Sequence, residues 1–294
     1  MIDCPPQAAA PTAEQARAAM RNARDHGFLW RVSKDGRTSY LYGTMHAARM
    51  EWMFPGPRVS QALQASAVMA LELDMLDPEV QRRMTEGMAV LKGAPLPEAL
   101  ARRMEKLMRA ECIPPEQAGG MIPEMQLATL SIVAGRRDGI DPAYAIDLVL
   151  AGHGHAAGMR VVSLETPEGQ LGMLQMETSQ DTIALVERDL EEIENGRARV
   201  MLNRVASVWS DSDGATMQRY SEWCECMDSE VDRKLMKRLL DDRNPALAQR
   251  IDALHGEGKS VFAAVGSLHM FGPQGIPALL SKRGYRVERV DFGR

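Results

Sequence analysis

The stretch SVFAAVGSLHMFG, residues 260–272, decides how this chain is read. Its first eight residues are apolar or small and show no polar alternation, the pattern of a strand covered on both faces. It then runs into Gly266-Ser267-Leu268-His269. The same phrase stands near the other end of the chain, where TSYLYGTMHAAR (38–49) passes through Gly43-Thr44-Met45-His46. A glycine at a strand exit lets the backbone turn sharply or approach a ligand closely. A histidine three residues on is then carried round to face the space beyond the strand end. Open α/β sheets place their ligand crevice there. The matched phrases therefore predict two related half-structures that deliver His46 and His269 to one crevice.

Around these stretches the rest of the chain falls into short strands and many helices. FLWRVS (28–33) and SYLYGT (39–44) flank KDGR, whose Asp35-Gly36 is a strong hairpin signal. AVMALELD (67–74), RVVSLE (160–165) and YRVERVD (285–291) read as further strands. Helical patterns cover 12–26, with Gly27 as a C-cap, then 57–66, 77–91, 97–111, 123–134, 141–157, a long charged run over 167–208, 229–240, 245–255 and 273–283. The fold class is α/β: a central mixed sheet built from two related halves, with a large helical cap over about 77–158. The expected organisation is a leader and helix over 1–27, then a single domain over 28–294.

A chain of 294 residues with 45% hydrophobic and 26% charged residues can bury a sizeable core. A net charge of −5 and 5% aromatics give no electrostatic or stacking reason to expect nucleic acid. No run approaches the roughly 18 to 20 apolar residues of a spanning helix. The opening MIDCPPQAAAPTAEQ is no signal peptide as written and reads as a disordered Pro/Ala-rich leader; a processed export signal replaced by Met stays open. Cys4, Cys112, Cys224 and Cys226 permit two disulfides, and Cys224-x-Cys226 lacks the spacer of a zinc knuckle.

The chemistry centres on the histidine pair. Neutral imidazoles at one crevice can hold a metal or supply a general base. Glu72 in ALELDM is the carboxylate that a divalent metal would add. Strand alternation places Glu72 and Asp74 on one face. A His-Glu-His set suits zinc, manganese, cobalt or iron with positions left for water. The competing reading makes these residues ordinary hydrogen-bonded or capping groups. His153 and His155 read as a solvated helix end. Most of the 21 methionines are expected in the core.

The two Gly-x-x-His phrases, LELD, SLETPEGQL, DDRNPALAQRI and VGSLHMFGPQGIPALLSKRGYRVERV together resemble the TraB/GumN family, over about residue 28 to the C-terminus. That family is similar to the Tiki proteases and, more distantly, to the erythromycin esterase and ChaN groups. The resemblance implies His46, Glu72 and His269 as site residues and ligands of a divalent metal: manganese, cobalt or zinc. It implies that Arg243 and Asn244 orient substrate or polarise its carbonyl, although Asn244 before Pro245 is also a good helix N-cap. Glu165 is either a second site carboxylate or a pre-helix acid. The implied activity is a metal-dependent hydrolase, a peptidase acting on peptides or small proteins. The alternatives are a non-catalytic peptide-, metal- or haem-binding protein and a metal-independent esterase with one histidine as base. The resemblance also implies a periplasmic or secreted location, with the cytoplasm left open. At least one disulfide follows from it, with the first and last segments as expected ends.

Overall fold

Six strands form one mixed sheet: β1 (Phe28–Lys34), β2 (Arg37–Thr44), β3 (Val68–Leu71), β4 (Arg160–Ser163), β5 (Val261–Gly266) and β6 (Arg286–Arg289), ordered β4-β3-β5-β2-β1-β6. This is seen in a computed structural model that describes residues 3–293. Each strand coincides with a stretch whose pattern predicts one, β1 running one residue and β2 two residues further into the KDGR turn. β1 and β2 make the hairpin, with Lys34 opposite Arg37. Asp35 and Gly36 both take positive φ, 51° and 72°, as a tight turn matching the strand twist requires. β6 adds antiparallel to β1. The other contacts are parallel: β2 with β5, β5 with β3, and β3 with β4. Four strands therefore end on the same side of the sheet, in the order β4, β3, β5, β2.

The apolar run of β5 explains its central place. Val261 to Val265 are at most 1% exposed, with sheet on both edges and side chains covering both faces. The helix Ile146–Ala156 packs on β3, β4 and β5, Asn244–Gly256 on β5, and Ile276–Lys282 on β1 and β6. A second cluster, including Leu100, Met104, Leu127, Leu130, Val186 and Leu190, belongs to the helices Glu98–Ala110, Pro123–Val133 and Ser179–Glu194. The helical layer thus has an apolar core of its own. Among the described residues no helix is long and apolar enough to cross a membrane.

Several local expectations are corrected. The run 167–208 is three helices, Pro167–Leu174, Ser179–Glu194 and Arg197–Ser210. The Thr178 side chain caps the second, and Gly196 at φ 81° turns the chain into the third. The first helix ends at Arg21, capped by Asn22 rather than Gly27. Of the 20 methionines among the described residues only six are buried: Met45, Met69, Met104, Met108, Met217 and Met270. Many others sit half-buried at helix seams and cavity walls, where a flexible thioether fills irregular space.

The leader is held in place instead of disordered. Cys4 is bonded to Cys112 in the helical layer, and Tyr144 Oη both accepts from Ala9 N and donates to Ala9 O. The second bridge joins Cys224 to Cys226. A disulfide is thus present as expected, but neither bridge links the first segment to the last.

One buried side chain ties the helical layer to the first Gly-x-x-His turn. Trp209 is fully buried, and its indole N–H donates to Gly43 O at 2.9 Å. Gly27 N donates to Trp209 O, and at φ 73° a Cβ on Gly27 would lie 2.7 Å from the indole. Removing the indole leaves a large cavity and a stranded carbonyl. Trp209→Ala should cost about 3–5 kcal/mol, read as a lower urea midpoint with little change in slope. A midpoint equal to wild type would contradict the tie.

Candidate functional site

The two Gly-x-x-His turns stand side by side because β2 and β5 pair in parallel, with Thr44 opposite Gly266. Each position in the phrase has a physical role. A Cβ on Gly43 would come within 2.9 Å of Ser267 Oγ and 3.1 Å of its Cα, so the first turn can approach the second only as glycine. Ser267 Oγ donates to Thr44 O at 2.9 Å, locking the second positions together. Met45 and Leu268, in third place, line one cavity, and so do His46 and His269 in fourth.

β3 and β4 supply the acids. Past the strand ends, Leu164 N donates to Leu71 O and Glu165 N to Glu72 O, so the pairing continues and brings the two glutamates together. Strand geometry stops at Leu71, and alternation no longer governs the residues beyond it. Glu72 turns into the site, whereas Asp74 turns away to Leu76 N and His155 Nε2, the latter at 2.7 Å. The expectation that Glu72 and Asp74 share a face is thereby corrected. His153 and His155 stand exposed in the last turn of the helix Ile146–Ala156, as expected, with His155 Nε2 also meeting Asp74.

The three tips converge. A Cβ built on Gly266 would meet Glu72 Oε1 at 3.2 Å, His269 Cδ2 at 3.6 Å and His46 Nε2 at 3.7 Å. Glycine keeps that space open. His269 is buried, and its Nδ1 lies 2.6 Å from Asn244 Oδ1. Asn244 Nδ2 donates to Gln274 O, so Oδ1 is the acceptor and His269 Nδ1 carries the proton. Nε2 then turns its lone pair inward. The Asn244 side chain caps nothing: the helix Asn244–Gly256 has Arg243 at its N-cap and no side-chain cap bond. The capping reading is therefore corrected to one of orienting His269.

His46 repeats the arrangement in a looser form. Its Nδ1 lies 3.3 Å from Asp147 Oδ1, an ion-pair distance, but that oxygen has no aligned hydrogen-bond partner among the described residues. Asp147 nonetheless pushes the imidazole up to about 9, with Glu72 adding to it. Asp147 was missed from sequence. Its signal was a lone acid in the first turn of the apolar helix IDLVLAGHGHA.

Arg243 organises the rest. Its Nε and Nη2 hold Glu165 at 2.8 and 2.5 Å, and Nη2 also meets Glu72 Oε2 at 2.6 Å. Nη1 donates to Leu239 O at 2.9 Å and faces His269 Nε2 at 3.1 Å. All five guanidinium donors are thus committed. Glu72 Oε1 accepts from Gly266 N, and Gln170 Nε2 bridges Glu165 and Glu72 at 2.9 and 3.3 Å. Burial pushes Glu72 up, but His269, His46, Arg243 and the Gly266 N–H outweigh it and hold the carboxyl at about 2. Burial pushes His269 down to about 4, so it stays neutral.

Among the described residues no three His, Cys, Asp or Glu side chains stand ready-made to hold a metal ion. The donor chemistry nevertheless fits a divalent cation. Two histidines keep Nδ1 towards an acceptor and turn Nε2 inward, the arrangement usual for ligating imidazoles. A carboxylate lies between them, and the space that a Gly266 Cβ would fill is open. Arg243 Nη1 would have to release His269 Nε2.

The model of the TraB/PrgY/gumN family matches residues 28–289. The proteins named Metalloprotease TIKI1 are similar to this chain. The zebrafish (Danio rerio) protein is 24% identical over 92% of this chain and 64% of its own length. The human protein is 23% identical over 92% and 63%, and that of Xenopus tropicalis 22% identical over 95% and 67%. The chain thus spans less than two thirds of the first two relatives. No solved structure matches it significantly.

The histidine tautomers give a direct test. Nitrogen-15 spectra should show His269 protonated on Nδ1 in the wild type. In Asn244→Ala that preference should be lost, with about 1–3 kcal/mol of stability, because the buried His269 and the Gln274 carbonyl lose their bonds. An unchanged His269 tautomer in the variant would refute the orienting role of Asn244.

Proposed function

We propose that this chain, which belongs to the TraB/PrgY/gumN family, is a hydrolase of peptide bonds acting on peptides or small proteins. The observation that carries the proposal is the convergence of His46, Glu72 and His269 on the open space beside Gly266. The metalloprotease names of its relatives support the same reading. In it, His46, Glu72 and His269 hold a divalent cation of the manganese, cobalt or zinc type. Such a cation supplies Lewis acidity, polarising a carbonyl and acidifying water.

The chain's own residues do the positioning. Asn244 and Asp147 keep the two rings turned with Nε2 inward. Gln170 and Arg243 hold Glu165 beside Glu72, so that two carboxylates share one guanidinium instead of repelling each other. Four of the Arg243 donors are anchored on carboxylates and Leu239 O. The fifth, facing His269 Nε2, is the one able to turn to a developing oxyanion. Asn244 Nδ2 is spent on Gln274 O, which favours Arg243 over Asn244 for that role. The reading also puts the protein in the periplasm or outside the cell, where its two disulfides would persist.

A second reading is favoured by the same Arg243 contact. If the guanidinium remains on His269 Nε2, the site already contains its cation, and hydrolysis proceeds without metal, with a histidine as base. Chelation separates the two.

Purified protein should contain bound metal. It should cleave a mixed peptide library, lose cleavage on chelation, and regain it with manganese, cobalt or zinc. At a stability cost like that of Asn244→Ala, whose buried bond it also breaks, His269→Ala should fold and yet lose metal and cleavage together. Gly266→Ala should do the same, because its methyl fills the space between the three side chains. Cleavage that survives chelation would select the metal-free reading. A His269→Ala variant that keeps both metal and cleavage would overturn the site.

A further inference from the structure

The site opens into a cavity of about 580 Å³ whose lining is sharply divided. Every ionisable group on it belongs to one linked cluster at the strand ends, here termed the floor: His46 with Asp147, and Arg243 with Glu72 and His269. Away from the floor the walls are apolar. Met45 and Leu268 come from the two Gly-x-x-His turns, Met173 and Leu174 from the helix Pro167–Leu174, and Leu202 and Val205 from the helix Arg197–Ser210. Most of these are only partly buried, and three of them, Leu202, Val205 and Leu268, pack on the core with one side and keep apolar surface for the cavity.

We propose that this wall is the specificity site of the enzyme, and that it takes an apolar segment of the substrate peptide next to the scissile bond. The proposal rests on the hydrolase reading. The volume lies within the roughly 300–1,000 Å³ of sites that enclose whole small ligands, so more than one side chain enters. Apolar residues leaving water for this wall gain about 25 cal/mol for each Å² buried. A lysine, arginine, aspartate or glutamate placed there would be desolvated with no partner, since the floor charges are already paired with one another. The two methionines and three leucines on the wall are unbranched at Cβ and adaptable, which favours tolerance among leucine, methionine and phenylalanine over selection of one. The third position of each repeated phrase thus acquires a use: it carries the apolar wall up to the histidines.

The test uses the full chain and two probes, acetyl-Leu-Met-Phe-amide and acetyl-Glu-Lys-Glu-amide, with binding followed by calorimetry. The apolar tripeptide should bind at least tenfold more tightly. Val205→Arg, which places a charge on the wall away from the floor, should erase that difference. Leu174→Ser should weaken the apolar probe severalfold, and it decides the matter if Val205→Arg does not fold. In the peptide library, cleavage should concentrate beside Leu, Met and Phe. Apolar binding without any cleavage would overturn the hydrolase reading and the placement beside a scissile bond with it, leaving the wall as an apolar peptide-binding surface. Cleavage with no apolar preference, or equal binding of the two probes, would overturn the inference and leave the hydrolase reading standing.

Discussion

The parallel pairing of β2 with β5 is the constraint on which everything at the site depends. It sets two strand exits from opposite ends of the chain one hydrogen bond apart, with Ser267 Oγ donating to Thr44 O. The contact is too close for a side chain at Gly43. Trp209 then fastens the Gly43 carbonyl from the helical layer, so that this layer and the sheet share one fixed point. The convergence of His46 and His269 follows from backbone geometry before any side-chain chemistry is considered.

The electrostatics follow from the same crowding. Parallel β3 and β4 end beside β5, which forces Glu72 and Glu165 together where little water reaches them. Two carboxylates in such a place need a cation, and Arg243 answers with bidentate contact to one and a further bond to the other. Breaking a buried pair of this kind typically costs about 3–5 kcal/mol. Arg243 is therefore part of the framework as well as a neighbour of His269. Any added cation at the site has to be accommodated against it.

The helical layer completes the crevice with apolar surface. Its own core, around Met104, Leu130 and Leu190, lets it stand as a packed body and still turn partly buried side chains towards the histidines. The disulfide from Cys4 to Cys112 ties the leader to that layer. Closing a loop of 108 residues removes more chain entropy than a short bridge would.

The sequence alone determined the strands, because most are short apolar runs bounded by turn residues, and the Asp35-Gly36 hairpin, because only a few residues tolerate its positive φ. The repeated Gly-x-x-His and the resemblance to a known family drew attention to His46, Glu72, His269 and Arg243. What stayed illegible was every property set by contact between distant segments. Asn244 reads locally as a cap, yet Gln274 and His269 take both ends of its amide. Asp147 is one acid in an apolar helix until the fold sets it behind His46. Asp74 shares a strand pattern with Glu72 until the chain leaves strand geometry at Leu71. Periodicity and turn chemistry act over a few residues, so they are written in the order of the chain. Hydrogen-bond partners and charge neighbours are chosen among segments that meet only after the sheet has formed, and tertiary structure alone decides them.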